Sequence, residues 1–279
     1  MERVPALMTD MYQVTMCNAY FRAKKHLQLA TFELFFRQNP FGGEFTVFAG
    51  LTECVHYLQQ FTFSDQDVAY LGSVLGLDEN DEFLVYLRQL TADDVQLWSV
   101  PEGSVVFPRV PLIVISGPLG VCQLLETALL NLVNFASLVT TNAARFRLAA
   151  PAGSSLIEFG LRRAQGPNGA LTASKYCYAG GFDGTSNLLA GQLYGVPVRG
   201  TQAHAFISAF RVEHDQQALS EEASKLFALA KAYIVKLSQL APMNVVGEQI
   251  DSELLAFVSY ASTFPDSFLA LVDTYDTLK

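Results

Sequence analysis

His204 stands in "RGTQAHAF", residues 199–206, three residues after Thr201 and just beyond the short apolar run "YGVPV". Neutral imidazole can accept a proton or a phosphoryl group near neutral pH. The residue therefore reads as a nucleophile or general base, or as a histidine satisfied by a local hydrogen bond. Arg162 and Arg163 follow another apolar run in "FGLRRAQGP", residues 159–167. Guanidinium forks suit carboxylates and phosphates, so this pair reads as an anion site or as partners of a nearby acid. "GGFDGTSN", residues 180–187, is a glycine- and hydroxyl-rich turn that could offer backbone N–H groups to an anion at the start of a following helix. It matches neither the P-loop nor the GxGxxG fingerprint. His26, His56 and His214 lie in polar or helical contexts and read as structural or solvated. No HxH or HxxxH spacing offers a metal cage.

The elements that must hold these residues change character along the chain. "TDMYQVTMCNAYFRAKK" has apolar residues at helical spacing, with Thr9 or Asp10 as a cap. "ATFELFFR" and "EFTVFAG" are extended, aromatic-rich runs with "NPFGG" as turn chemistry between them. A helix is expected from Leu51 to Gln60, and short helices over residues 64–97, with Ser64 and Thr91 as caps. "VPEGSVVFPRVPLIVISGP" alternates like strands with turns. "LGVCQLLETALLNLVNFASLVTTNAARFRLAA" is the longest helical pattern and nearly apolar all round, so it should be buried. Beyond about residue 150 come three strand-like runs, "SSLIEFGLR", "VPVRGT" and "SFLALVDTY", separated by helical segments. That order implies βα units and a parallel sheet. Each run ends in reactive side chains: Arg162 and Arg163, then Thr201 and His204, then Asp273 and Thr274. Chemistry in such sheets gathers at the carboxyl ends of strands.

Bulk properties bound the function class. The chain has 279 residues, is 51% hydrophobic and carries a formal charge of −9. A large core is possible, and the charge argues against nonspecific binding of nucleic acid. Anionic small molecules remain open, because a local site can be basic on an acidic protein. The N-terminus has acidic residues where a signal peptide needs an apolar centre. The two greasiest stretches are broken by Arg109 and prolines or fall short of the roughly 20 residues a bilayer requires, so no membrane span is expected. Cys17, Cys54, Cys122 and Cys177 lack CxxC spacing and read as ordinary reduced thiols of a cytosolic protein. These readings together support an α/β enzyme that binds an anionic small molecule.

The ordered set "LMTDMYQVTM", "FELFFRQNPFGGEFTVFAGL", "LLETALLNLVN", "TNAARFRL", "EFGLRRAQGPNGALTASKYCYAGGFDGTSN", "GTQAHAF" and "LVDTYDTL" resembles nicotinate phosphoribosyltransferase of the animal type, from about Thr9 to the last residue. The resemblance implies an N-terminal α+β domain followed by part of an irregular parallel α/β barrel of the type II phosphoribosyltransferase class. The boundary is expected at 1–148 and 149–279. It also implies a cytoplasmic homodimer that makes nicotinate mononucleotide from nicotinate and phosphoribosyl pyrophosphate, coupled to ATP hydrolysis with Mg2+ or Mn2+, as the first step of NAD synthesis from nicotinate. His204 would be the phosphorylated histidine of the GT-x-AH motif. Thr201 and Tyr12 resemble nicotinate-site residues, with Tyr12 against the pyridine ring. Asp183 and the Gly180–Gly181 turn belong to a site-building "GGFD" segment. Arg162 or Arg163 would face anionic substrate groups.

The family continues beyond "LVDTYDTL" with further barrel strands, an IRLDSGD-like segment and phosphate-binding loops that this sequence does not contain. The expectation is therefore a truncated product, a partial gene model or an isoform. Its alternative role would be a non-catalytic chain that modulates a longer subunit. A closed barrel needs about eight strands, so Phe268, Leu269, Leu271 and Val272 are expected beside an open strand edge. The related nicotinamide-using enzyme fits less well, because "PFGG", "GLRRAQGP" and "GTQAHAF" match the nicotinate branch.

Overall fold

A computed structural model describes residues 4–240 and 248–276. The chain packs as two compact units, Met1–Val198 and Arg199–Lys279. The expected boundary at 148/149 falls within the first of these, at the end of its longest helix.

The first unit is built on that helix. Its helices are α1 (Met11–Arg22), α2 (Leu51–Gln59), α3 (Asp65–Leu75), α4 (Glu82–Gln89), α5 (Leu119–Ala149), α6 (Gly166–Ala179) and α7 (Leu188–Tyr194). Its strands are β1 (Leu29–Leu34), β2 (Thr46–Val47), β3 (Gln96–Ser99), β4 (Val105–Val106), β5 (Ile113–Pro118), β6 (Ile157–Glu158) and β7 (Gly184–Thr185). An antiparallel sheet runs β1-β5-β3, with Phe32 opposite Ile115 and Leu97 opposite Ile115 on the other side. β2 and β4 form a separate antiparallel pair.

Helix α5 is the buried centre the composition predicts. Leu124, Leu125, Ala128 and Ala136 have no exposure, and the helix packs against α1, α2, α6, β1 and β5. It is long and apolar enough to cross a bilayer by length and composition, but 56% of its most apolar window is buried inside the protein. Its polar side chains serve as internal ties. Ser137 Oγ accepts from Ala49 N at 3.0 Å and donates to Ala49 O, and Thr141 Oγ1 accepts from Val47 N at 2.9 Å.

Local signals hold at some ends and fail at others. Ser64 caps α3 in a full capping box with Asp67. Thr91 caps no helix. It makes a short turn with Asp93, and Gln96 and Leu97, the end of the stretch expected as helical, begin β3 because β5 offers a ladder. Asp10 sits at the α1 N-cap, and its side chain caps nothing there.

β6 and β7 pair in parallel, Ile157 with Gly184 and Glu158 with Thr185, and an isolated parallel bridge joins Thr185 to Val198. The runs "SSLIEFGLR" and "VPVRGT" therefore both join a parallel arrangement, but on either side of β7 rather than with each other, and only through a two-residue strand and a single bridge. α6 lies between β6 and β7 in the chain, packs on α5, and is tied to α2 by Glu53. That carboxylate accepts from Lys175 Nζ and from Tyr176 Oη at 2.6 Å. Burial pushes Glu53 up, but the Lys175 and Tyr176 hydrogen bonds outweigh it and leave the acid below its ordinary pKa.

The second unit contains α8 (His204–Ala209), α9 (Val212–Asp215), α10 (Glu221–Leu240) and α11 (Glu248–Thr263). Ala223 and Phe227 of α10 pack on Leu255 and Val258 of α11. The expected third strand does not form. Residues 265–267 make a 3-10 turn, and 268–276 run without strand pairing. Phe268, Leu269 and Val272 are exposed there as an irregular segment, not as a strand edge. Three aromatic rings in sequence, Phe257, Tyr260 and Phe264, cluster with Phe268 or with one another and hold the start of that segment against α11, where a ladder partner would otherwise be needed.

Candidate functional site

In the first unit the chemistry gathers around the ends of β6 and β7. Asp183 Oδ2 accepts from Leu156 N at 2.7 Å and from the Arg147 guanidinium. The Leu156 N–H, and then Arg147, hold its carboxyl below the usual range. Arg147 also donates from Nε to Gly181 O at 2.7 Å and from Nη1 to Ser154 O at 2.8 Å. One guanidinium at the end of α5 thus ties the segment entering β6 to the glycine turn before β7. Gly181 adopts φ +105°, a region that favours glycine. Gly180 is needed for a different reason: a Cβ there would stand 2.5 Å from Ala143 Cβ and 2.6 Å from Thr140 O of α5.

Glu158, at the end of β6, anchors a buried polar network. Its Oε2 accepts from Ser174 Oγ at 2.8 Å and Thr185 Oγ1 at 2.7 Å, and its Oε1 accepts from Gly160 N. Asn187 donates from its backbone to Thr185 Oγ1 at 3.0 Å and from Nδ2 to Ser174 Oγ at 3.2 Å, and its Oδ1 caps α7. Ser174, Thr185 and Asn187 are all buried. Buried groups with this degree of pairing rigidify what they hold. What they hold is the turn at Gly160, from which Leu161–Arg163 projects as a single 3-10 turn.

Arg162 and Arg163 are exposed on that turn. Among the described residues neither guanidinium has an ion pair or hydrogen bond, so the sequence alternative of a salt-bridged pair is not realised. Tyr12 is half exposed, and its hydroxyl donates to Glu126 Oε1 at 3.0 Å. That hydrogen bond raises the phenol's pKa. Tyr12 lines a cleft of about 690 Å³ with Asp10, Arg37, Thr127, Asn131 and Asn134. Glu126 is itself held by Gln123, which also meets the buried Gln13.

The second unit brings together residues far apart in sequence. His204 opens α8, half exposed, with Nδ1 3.1 Å from Thr274 Oγ1 and Nε2 3.8 Å from Asp273 Oδ1. Thr201 Oγ1 and Gln202 Nε2 both donate to Leu269 O, at 3.0 and 3.2 Å. A histidine between a hydroxyl and a carboxylate is equipped to act as a nucleophile, because its tautomer and any positive charge it develops are both provided for.

Sequence reading missed Glu158, Ser174, Thr185 and Asn187 as a set, and Arg147 and Glu126 as supports. The one available signal was a carboxylate inside an otherwise apolar run, "LIEF". Among the described residues no three His, Cys, Asp or Glu side chains are grouped to hold a metal ion.

The family model described as the nicotinate phosphoribosyltransferase (NAPRTase) N-terminal domain matches residues 7–134. A nicotinate phosphoribosyltransferase of Caenorhabditis elegans is 52% identical over 285 residues, covering 99% of this chain and 50% of its own length. One from Arabidopsis thaliana is 51% identical, covering 99% of this chain and 51% of its own length. The crystal structure of human nicotinic acid phosphoribosyltransferase superposes with a TM-score of 0.81 at 48% identity, covering 96% of this chain and 55% of that one. The chain spans about half the length of the curated relatives it matches, and over that span it belongs to the nicotinate phosphoribosyltransferase family.

Proposed function

We propose that the chain contributes to an ATP-coupled nicotinate phosphoribosyltransferase, which joins nicotinate to phosphoribosyl pyrophosphate and releases pyrophosphate. The observation that carries the reading is the seating of His204 between Thr274 and Asp273 in a family sequence. His204 is the phosphoryl acceptor from ATP. The pyridine nitrogen of nicotinate is already nucleophilic and needs orientation only. Tyr12 offers an aromatic face whose hydroxyl is tethered by Glu126, suited to a flat heteroaromatic acid. Arg162 or Arg163, both without protein partners among the described residues, binds the carboxylate or phosphate groups. Asp183 and Gly181, tied together by Arg147, fix the glycine turn that this reading places beside substrate.

Magnesium would stabilise charge on the pyrophosphate leaving group. The described residues offer no protein cage for it, so the cation would come with the substrate phosphates. Homodimer formation, a cytoplasmic location and Thr201 as a nicotinate contact belong to the same reading.

His204→Ala tests it. Acid-labile incorporation from γ-labelled ATP should vanish, and unchanged incorporation would remove the assignment. The alternative reading is a non-catalytic chain that modulates a longer subunit. Product formation by the purified chain, alone and mixed with a full-length relative, separates the two.

A further inference from the structure

Glu126 of α5 accepts the Tyr12 hydroxyl on Oε1 at 3.0 Å and the Gln123 amide on Oε2 at 3.3 Å. The Gln123 amide also donates to Gln13 Oε1. Gln13 Nε2 donates to Thr127 Oγ1 at 3.4 Å, and Thr127 Oγ1 donates to Asp10 Oδ2 at 3.0 Å. Gln13 and Gln123 are buried. The network thus runs between two carboxylates, Asp10 and Glu126, and Tyr12 hangs from the second as a donor. Both donors to Glu126 are neutral. Among the described residues no cation stands within ion-pair distance of it, so its charge is not cancelled locally. A carboxylate in that position polarises the phenol it holds.

We propose that Glu126 is a positioning residue that acts through its hydrogen bond to Tyr12, so that the Tyr12 ring favours a pyridinium over an uncharged pyridine. This rests on the reading of Tyr12 as the residue that faces nicotinate. In the step, the lone pair of the nicotinate nitrogen forms the bond to the anomeric carbon. The bond from that carbon to the pyrophosphate oxygen breaks, and pyrophosphate leaves with the electron pair. No proton moves. The nitrogen is uncharged in nicotinate and cationic in the product. An aromatic face attracts such a cation, and more strongly when electron density is pushed into its ring. Attraction that grows as the nitrogen becomes charged lowers the barrier, whereas equal attraction to both forms would not. Asp10, on the wall of the same cleft, adds charge of the same sign as Glu126, and Arg37 on that wall adds the opposite sign. The Glu126 hydrogen bond raises the phenol's pKa, so the proton that makes the contact stays in place at neutral pH.

Nicotinate and N-methylnicotinate differ in the charge on the ring nitrogen and by one methyl group. The change in their affinity ratio between variants therefore reads the preference without catalysis. Dissociation constants of both are measured on the 279-residue chain by ligand-observed NMR titration. Wild type is compared with Glu126→Gln, Tyr12→Phe, their double variant and Tyr12→Leu. Glu126→Gln keeps an acceptor for the hydroxyl and loses the charge; Tyr12→Phe keeps the ring and loses the hydrogen bond. Each should reduce the preference for N-methylnicotinate by about twofold to threefold, part of the strength of an exposed cation–π contact. The double variant should fall no further than either. Equal weakening of both ligands in Glu126→Gln makes Glu126 a tether only and overturns the inference. So does a reduced preference in Glu126→Gln with none in Tyr12→Phe, which marks direct attraction to the carboxylate. If Glu126→Gln does not fold, Tyr12→Phe decides alone, and an unchanged preference there overturns it. Tyr12→Leu separates the layers. If it weakens neither ligand, or if the chain binds neither, Tyr12 does not face nicotinate in this chain and both readings fall.

Discussion

Glu158→Gln should loosen the turn that carries Arg162 and Arg163, and its cost follows from the geometry. The carboxylate accepts on both oxygens: two buried hydroxyls on Oε2 and the Gly160 N–H on Oε1. Glutamine keeps one acceptor and turns the other into a donor. With its oxygen toward Ser174 and Thr185, its NH2 faces the Gly160 N–H. Flipped, it faces two hydroxyls that must both rotate away, Ser174 toward Ala170 O and Thr185 toward Ser174 Oγ at 3.3 Å. Either arrangement forfeits at least one hydrogen bond to a charged acceptor, worth about 1.5–3 kcal/mol. At a urea m-value of about 2 kcal/mol/M, a loss of about 2 kcal/mol lowers the midpoint by roughly 1 M. Trp98, the single tryptophan, lies in β3 of the first unit, so its emission reports that unit's unfolding. Thr185→Val, removing one donor to the same oxygen, should be strongly non-additive with Glu158→Gln. An unchanged midpoint, or additivity of the pair, would refute the claim that this network supports the turn.

Gly180→Ala should be more damaging than its size suggests, because the new methyl meets α5 backbone and Ala143, an overpacking cost of about 1–3 kcal/mol; thermal unfolding checks it, with Gly153→Ala, where φ is +83° and nothing lies within 4 Å, as the comparison for backbone strain without a clash, Gly180 itself having φ −81°. Glu53 is held below its ordinary pKa, so its contribution to stability is present above the unfolded-state value and is lost as pH falls through the folded one; in Glu53→Gln the acid-side slope of stability below about pH 4.5 should flatten, as measured by urea midpoints against pH. Tyr12→Ala in an active, full-length family protein should raise the Michaelis constant for nicotinate more than that for ATP, and equal effects on both would count against ring stacking.

Residues close in the chain were readable from the chain. The Ser64–Asp67 capping box lies within four residues, and the apolar pattern of α5 marks a helix that must be buried whatever its neighbours. The short motifs pointed to Tyr12, Arg162, Arg163, Asp183 and His204 as a set before any contact was known. Partners were not readable. β1 pairs with β5 across the intervening α2–α4 segment, and residues 96–99 became a strand because β5 had a free edge, although the expected helical stretch ran to residue 97. "SFLALVDTY" has strand composition and no strand, since extended residues need a ladder to bond with and here meet aromatic side chains of α11. The contacts that give the candidate site its chemistry are of this long-range kind. Thr274 reaches His204 from 70 residues away, Asp183 meets Arg147 across 36, and Glu158 gathers Ser174 and Thr185 from 16 and 27. Residue types determine which groups can donate, accept or attack, but a hydrogen bond requires about 3 Å between two atoms, and only the folded backbone sets that distance.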